Sequence, residues 1–223
     1  MAATSASVPI GDASYRAQGG RVPGDIATVA RELVAIGGRM DAHRWVPASS
    51  GNLSARIDRS TIGITRSGVH KGRLQPADII AVGLDGLAVE PTAKPSAETL
   101  LHCQLYRMDP AIGAVLHGHS VEATALSLVT DAEELVLRDY EILKAFPGIG
   151  THEVVAHVPI FDNDQDIARL SMRIAPSLTP LPIGYILRGH GVYAWGPDVE
   201  RCFWRLEALE FLISCECERR RML

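Results

Sequence analysis

The chain has 223 residues, 47% of them hydrophobic, and a formal net charge of −4 at pH 7. This length and apolar content are typical of one globular domain with a full core. The sequence has no lysine- or arginine-rich stripe and no apolar run of roughly 18 to 20 residues, which argues against nucleic acid and a membrane span.

The N-terminal 22 residues differ in composition from the rest of the chain. They are rich in Ala, Ser and Gly, and they lack the basic start and continuous apolar segment of a secretory signal. We therefore expect a disordered lead-in over residues 1–22, followed by a domain over residues 23–223. Without a signal, the four cysteines are expected to be reduced thiols in a cytoplasmic protein.

Apolar periodicity and turn residues predict the elements of the first half of the chain. The predicted elements are a helix over 23–43 capped by Asp25, short strands over 53–57, 61–65, 79–82 and 87–90, and a helix that begins at or near Ser96. Asp85-Gly86 lies between two apolar runs, which favours a hairpin there.

The second half alternates strands with helices at short spacing. The predicted strands are 112–119, 154–158, 185–188 and 192–195, and the predicted helices are 120–129, 139–145, 164–175 and 198–220. This spacing is too short for a uniform series of βαβ units. We therefore expect an α/β domain with a largely antiparallel or mixed sheet between helical layers.

His117-Gly118-His119, with His190 far downstream, is the most informative motif. Two histidines at i and i+2 on a strand point to the same face. Neutral imidazole is the commonest protein ligand for a transition metal, and three imidazoles leave a position open for water or substrate, as catalytic zinc requires. An isolated pair of this kind is as often structural as ligating. The third histidine, in its own glycine-flanked turn, favours a metalloenzyme.

Three turn-rich segments carry groups suited to an anion. They are Ser49–Asn52, Thr65–Gly68 and Lys94–Glu98, which supply hydroxyls, an amide and a helix start. Each segment alone is best explained as an ordinary turn or cap. As a set beside three histidines, they favour a phosphate cradle.

Two glutamates are candidate proton carriers. Glu98 lies near a helix start, where an acid commonly serves the helix dipole, and Glu141 lies in a stretch typical of a solvated helix. Buried beside a metal, either carboxylate would suit general acid–base chemistry. His102 and His152 are expected on the surface or behind the ligands.

Five motifs in order resemble the class II aldolase/adducin head family. They are Ser-Gly-Asn-Leu-Ser at 50–54, Thr-Arg-Ser-Gly at 65–68, Pro-Ser-Ala-Glu at 95–98, His-Gly-His-Ser at 117–120 and Arg-Gly-His-Gly at 188–191. The resemblance spans about residues 25 to 215. It implies a single layered α/β/α domain and a homotetramer with sites near subunit boundaries.

The same resemblance implies the residues of the site. Zinc would be held by His117, His119 and His190. The phosphate of a sugar phosphate would be bound by Asn52, Ser67, Gly68 and Ser96, together with Lys144.

The motifs at 140–144, 158–160 and 190–196 resemble the branch of the family that dehydrates a methylthio-substituted ketose phosphate. In that branch the position of Glu141 transfers the proton. The alternative is a sugar-phosphate aldolase or 4-epimerase of the fuculose or ribulose phosphate type, with Glu98 as the acid/base group. Some dehydratases carry cysteine where this chain has Glu98, so aldolase chemistry stays open. The intact histidine set argues against a third possibility, a catalytically inactive interaction module.

Overall fold

Residues 24–222, the part described by the computed structural model, form five α-helices and eight β-strands. The helices are α1 (Ile26–Ala42), α2 (Thr99–Met108), α3 (Val121–Val129), α4 (Ile167–Ile174) and α5 (Val199–Arg221). The strands are β1 (Asn52–Arg56), β2 (Thr61–Thr65), β3 (Ile79–Gly83), β4 (Ala114–Gly118), β5 (Glu134–Arg138), β6 (Val155–Phe161), β7 (Tyr185–Leu187) and β8 (Gly191–Gly196). The predicted lead-in over residues 1–22 lies outside the described residues.

Four of these helices begin at a side chain that accepts a hydrogen bond from the first turn. The caps are Asp25 for α1, Ser120 for α3, Asp166 for α4 and Asp198 for α5. A short oxygen-bearing side chain at this position satisfies a backbone N–H that has no partner within the helix. The helix starts predicted at Asp25, Ser120 and Asp198 are confirmed.

The strands form one mixed sheet in the order β3-β2-β1-β4-β8-β7-β6-β5. Every neighbouring pair is antiparallel except β6 and β7, which are parallel. The prediction of a largely antiparallel mixed sheet is confirmed. In the centre, β4 lies between β1 and β8, so that His117 is the register partner of Asn52 on one side and Tyr193 on the other.

The sheet lies between two helical layers, each with its own core. Helices α1, α3 and α5 contribute to one core, and α2 and α4 contribute to the other. Strand β8 shows why: Val192 and Ala194 join the first core, while Tyr193 and Trp195 join the second. The expected α/β/α layering is confirmed. Within residues 24–222, every helix is too short or too polar to cross a bilayer.

Three predicted elements differ from the structure, and one strand was missed. Residues 87–90 form a single bridge, between Ala88 and Val82, instead of a strand. Pro91, which has no N–H, follows at once, and both Leu87 and Val89 are exposed instead of packed. Strand β5 was missed, because its charged ends flank a short apolar stretch.

The second helix begins three residues later than predicted. Its N-cap is Glu98, and Ser96 is held outside the helix by a 3.2 Å hydrogen bond from its backbone N–H to the Thr65 carbonyl. Residues 139–145 contain a 3-10 turn over Glu141–Ala145 instead of an α-helix.

Candidate metal centre

The ring nitrogens of His117, His119 and His190 converge to within 4.8 Å of one another. His117 lies near the end of β4, His119 follows the strand, and His190 lies in the turn before β8. The Nε2 atoms of His117 and His190 are 3.4 Å apart. Two nitrogens bound tetrahedrally to one zinc ion at about 2.0–2.1 Å would be about 3.4 Å apart. The three side chains therefore form a group that could hold a metal ion.

Hydrogen bonds on the far ring nitrogens orient two of the imidazoles. His117 Nδ1 lies 2.9 Å from the Val192 carbonyl oxygen, and His190 Nδ1 lies 3.2 Å from Asn163 Oδ1. Because the Val192 carbonyl oxygen accepts, His117 Nδ1 donates, and the unprotonated Nε2 of His117 faces the centre. The contact with Asn163 fixes the rotation of the His190 ring. Burial lowers the pKa of His117 and lowers that of His119 to about 4. Neutral imidazoles are the form that binds a metal.

Glu98 lies against the same centre. Its carboxylate oxygens are 3.0 Å from His190 Nε2 and 3.3 Å from His117 Nε2. Asn52 Nδ2 donates to it at 2.8 Å, and the Tyr193 hydroxyl donates at 2.6 Å. Burial alone would raise the pKa of Glu98, but the neighbouring imidazoles and the Tyr193 hydroxyl hold it well below its ordinary value. Glu98 is therefore an ionised carboxylate beside the three histidines.

A buried hydrogen-bond chain runs behind Asn52. Asn52 Oδ1 lies 2.5 Å from His102 Nε2, His102 Nδ1 lies 2.7 Å from Ser54 Oγ, and Ser54 Oγ lies 2.9 Å from the Tyr106 hydroxyl. Burial lowers the pKa of His102 to about 4, so its ring is neutral with one donor and one acceptor. Since Asn52 Nδ2 donates to Glu98, Asn52 Oδ1 must accept from His102. The position behind the ligands, one of the two expected for His102, is the one observed.

The three turn segments lie at one end of the sheet, and two of them carry Asn52 and Glu98 to this centre. Asn52 begins β1 next to His117. The Ser67 N–H donates to the Lys94 carbonyl at 3.0 Å. Gly68 has a left-handed φ of 78°, and no atom of residues 24–222 lies within 4 Å of a Cβ added there. Because Ser96 is bonded to the end of β2, the structure brings Asn52, Ser67, Gly68 and Ser96 to one end of the sheet.

Glu141 and Lys144 lie apart from this group. Glu141 has a side chain that is 72% exposed, and its polar partners within residues 24–222 are Lys144 and His152. The adjacent Tyr140 hydroxyl bonds Glu216 near the end of α5. The contacts of a single chain therefore join Glu141 and Lys144 to each other and not to His117, His119 or His190.

Three residues near the site were not predicted from the sequence. Tyr193 and Asn163 contact Glu98 and His190, and Lys71 is buried beside two of the turn segments. Tyr193 lies on the strand that directly follows His190, three residues further along the chain. This short spacing could have indicated that Tyr193 is near the site. Asn163 and Lys71 come from other elements, and only the folded chain brings them close.

Residues 31–217 match the family described as Class II Aldolase and Adducin N-terminal domain. The chain belongs to the class II aldolase and adducin family. The resemblance seen in the five motifs is therefore confirmed, and it extends over most of the chain.

Relatives and solved structures agree with this family assignment. The chain is 68% identical to methylthioribulose-1-phosphate dehydratase of Acidiphilium cryptum over 89% of this chain and 95% of that protein. It is 51% identical to the protein of the same name from Gluconacetobacter diazotrophicus, over 88% and 96%. The structure of L-fuculose-1-phosphate aldolase from Thermus thermophilus matches with a TM-score of 0.71 and 26% identity, over 88% and 97%. The family thus includes relatives named for two different reactions.

Proposed function

We propose that the chain is a lyase of methionine salvage, which dehydrates 5-methylthioribulose 1-phosphate to 2,3-diketo-5-methylthiopentyl 1-phosphate. The observation that carries this proposal is the 68% identity, over nearly full length, to a relative named methylthioribulose-1-phosphate dehydratase. The convergence of the three histidines and Glu98 supports it, because the reaction needs both charge stabilisation and proton transfer.

The ion proposed for the centre is zinc, one per subunit, held by His117, His119 and His190. Three imidazole nitrogens, two of them on rings oriented by hydrogen bonds, fit that ion and leave a position open. When bound, zinc would supply a Lewis acid for the C2 carbonyl of the ketose.

The substrate phosphate would be anchored by Asn52, Ser67, Gly68 and Ser96. Their position at one end of the sheet, with Asn52 beside His117, supports this assignment, because a phosphate anchored there holds C2 and C3 of the sugar near the reactive groups. Lys144 was predicted to join this set. Because Lys144 pairs with Glu141, we propose that both residues act at the same site.

The reaction removes the C3 proton and the C4 hydroxyl. A carboxylate takes the proton from C3, and the C4 hydroxyl leaves as water after receiving a proton. The resulting enol then becomes the diketone. We assign the proton transfer to Glu141, as the family resemblance implies. Glu141 is exposed and pairs with Lys144, and it does not contact the three candidate ligands of its own chain. We therefore propose that it acts at the histidines of a neighbouring subunit in the proposed homotetramer.

Replacement of the carboxylate tests this assignment. Glu141→Gln should lower turnover of the methylthio sugar phosphate by about 10²–10⁴-fold while leaving the metal content unchanged, because only the proton carrier is lost. Glu153→Gln, an exposed neighbour, is the matched control. Mixing and reassembling the inactive Glu141→Gln and His119→Ala chains should restore part of the activity. Full activity in Glu141→Gln alone would contradict the assignment.

The runner-up function is a metal-dependent sugar-phosphate aldolase or 4-epimerase. The observation that favours it is the ionised Glu98 carboxylate between His117 and His190, the position of the acid/base group in related aldolases. In that case Glu98→Gln would abolish cleavage or epimerisation of a ketose phosphate, and Glu141→Gln would not.

A further inference from the structure

Lys71 is a buried cation that the function described so far does not use. The chain has three lysines, at 71, 94 and 144, and Lys94 and Lys144 are exposed. Lys71 is only 2% exposed and is among the largest fully buried side chains. Lysine is almost never buried to this degree unless its ammonium group has partners.

The partners of Lys71 belong to the turn segments near the metal centre. Its Nζ donates to the Ser49 carbonyl at 2.6 Å and to the Val69 carbonyl at 2.8 Å. Ser49 starts the segment that ends at Asn52. Val69 directly follows the segment Thr65–Gly68 and is included with it in the 65–69 segment. One ammonium group therefore ties together two of the three segments assigned to the phosphate.

Among the described residues, no carboxylate contacts the Lys71 ammonium group and neutralises its charge. An ammonium has three donors, and within residues 24–222 two of them have carbonyl acceptors. Burial lowers the pKa of Lys71 to about 8, and the charge of Glu98 opposes that shift. At neutral pH the group is still mostly charged. A buried positive charge with neutral partners is costly on its own, and a bound phosphate would offset that cost.

The backbone of Lys71 is fixed by the core. It starts a 3-10 turn packed against α1, where a side chain on Gly37 would overlap the Lys71 carbonyl oxygen. A side chain on Gly72 would likewise overlap Asp41 of the same helix. The location of the ammonium group is thus set by the packing of α1 and not by the surface loops that it bonds.

We propose that Lys71 is a positioning residue for the substrate phosphate: it holds the 49–52 and 65–69 segments in the binding arrangement and supplies the positive charge beneath them. This inference rests on the proposed function only in taking the ligand to be a phosphate. Sequence reasoning favoured Lys144 as the phosphate-binding lysine, and Lys71 is the one that bonds the predicted cradle.

The test is calorimetric binding of inorganic phosphate to the full-length, metal-loaded protein. Lys71→Met removes the charge at nearly constant volume and should weaken phosphate binding about 10- to 100-fold, the usual effect of losing charge-assisted hydrogen bonds. Arg73→Met, which removes an exposed cation in the same turn, should bind phosphate as the unaltered protein does. Metal content should be unchanged in both. Equal phosphate binding by Lys71→Met and Arg73→Met would overturn the proposal.

Two further measurements separate this proposal from a structural role and from the dehydratase assignment. In turnover of the methylthio sugar phosphate, Lys71→Met should raise KM about as much as it weakens phosphate binding, with little change in kcat. With the unphosphorylated sugar, the variant and the unaltered protein should have equal kcat/KM. If Lys71→Met does not fold, Lys71→Gln keeps a neutral N–H donor group and should show the same loss. Unchanged phosphate binding by Lys71→Gln would overturn the proposal. Calorimetry needs no turnover, so its result holds even if the chain is not a dehydratase.

Discussion

At the scale of single residues, the centre depends on the direction of its hydrogen bonds. Each donor in the chain from Tyr106 through Ser54, His102 and Asn52 points towards Glu98. This direction fixes the rotation of the Asn52 amide, so that its nitrogen faces the carboxylate. The hydrogen-bond chain therefore links the neutral, buried His102 ring to the ionised Glu98 carboxylate.

Replacing His102 should uncouple Asn52 from Glu98. In His102→Leu, Asn52 Oδ1 loses its donor, and kcat/KM should fall about 10- to 100-fold, the cost of one buried polar atom left without a partner. His157→Leu, at an exposed site on β6, is the control and should retain activity. Nitrogen-15 NMR should find His102 neutral and protonated on Nε2 from pH 5.5 to 8, since burial lowers its pKa to about 4. A ring that titrates near pH 6.5, or an Nδ1–H form, would contradict the chain of donors.

At the scale of elements, two adjacent glycines of α1 have opposite roles. Gly37 faces the 3-10 turn that carries Lys71, and an added Cβ would overlap the Lys71 carbonyl oxygen. At Gly38, no atom of the described part of the chain lies within 4 Å of an added Cβ. Helix α1 therefore needs glycine at one position for packing and has no such need at the next.

Alanine at these two positions should change stability with opposite sign. Gly37→Ala should destabilise the fold by about 1–3 kcal/mol through overpacking, whereas Gly38→Ala should stabilise it by about 0.5–1 kcal/mol because alanine favours a helix. Thermal unfolding of the two variants at one pH measures both effects. Equal shifts in Tm would show that the turn does not pack as described.

Helix α5 carries a buried acid that faces the start of α3. Among the described residues, neither carboxyl oxygen of Glu210 has a hydrogen-bond partner with good distance and angle. Burial raises the pKa of Glu210 to about 7, and the nearby Ser120 hydroxyl offsets only part of that shift. The folded protein therefore holds the proton more tightly than the unfolded chain does.

This raised pKa predicts a pH-dependent stability. The contribution of the protonated carboxyl is complete below about pH 4.5 and is lost as the pH rises through about 7, an effect on the order of 3 kcal/mol. Glu210→Gln lacks the titration, so its Tm should exceed that of the unaltered protein by a margin that grows from pH 5 to pH 8. Glu218→Gln, exposed on the same helix, should show a constant difference. A constant difference for Glu210→Gln would contradict the prediction.

At the scale of the whole molecule, features set by neighbouring residues could be predicted from the sequence, whereas features set by contacts between distant segments could not. The Asp25 cap and the helices that begin after Ser120 and Asp198 depend on neighbouring residues, and they were predicted correctly. The strand order, the missed strand β5 and the contact of Tyr193 with Glu98 depend on pairing between distant segments. A single sequence carries little information about such pairings.

The two carboxylates show the same limit within the site. Glu98 precedes α2, and folding brings it to the histidines of its own chain. Glu141 lies on the surface, so its predicted role depends on contacts between chains, which the pattern of one chain does not specify. The homotetramer and the cytoplasmic location stay predictions.

The most direct test of the central claim is an NMR assay of the metal-loaded protein with three ketose phosphates in parallel. The dehydratase proposal predicts that 5-methylthioribulose 1-phosphate is converted to the diketone with loss of one water, and that His119→Ala, which lacks a proposed ligand, converts none. Fuculose 1-phosphate and ribulose 5-phosphate should remain unchanged. Cleavage of fuculose 1-phosphate or epimerisation of ribulose 5-phosphate, with the methylthio sugar left intact, would contradict it.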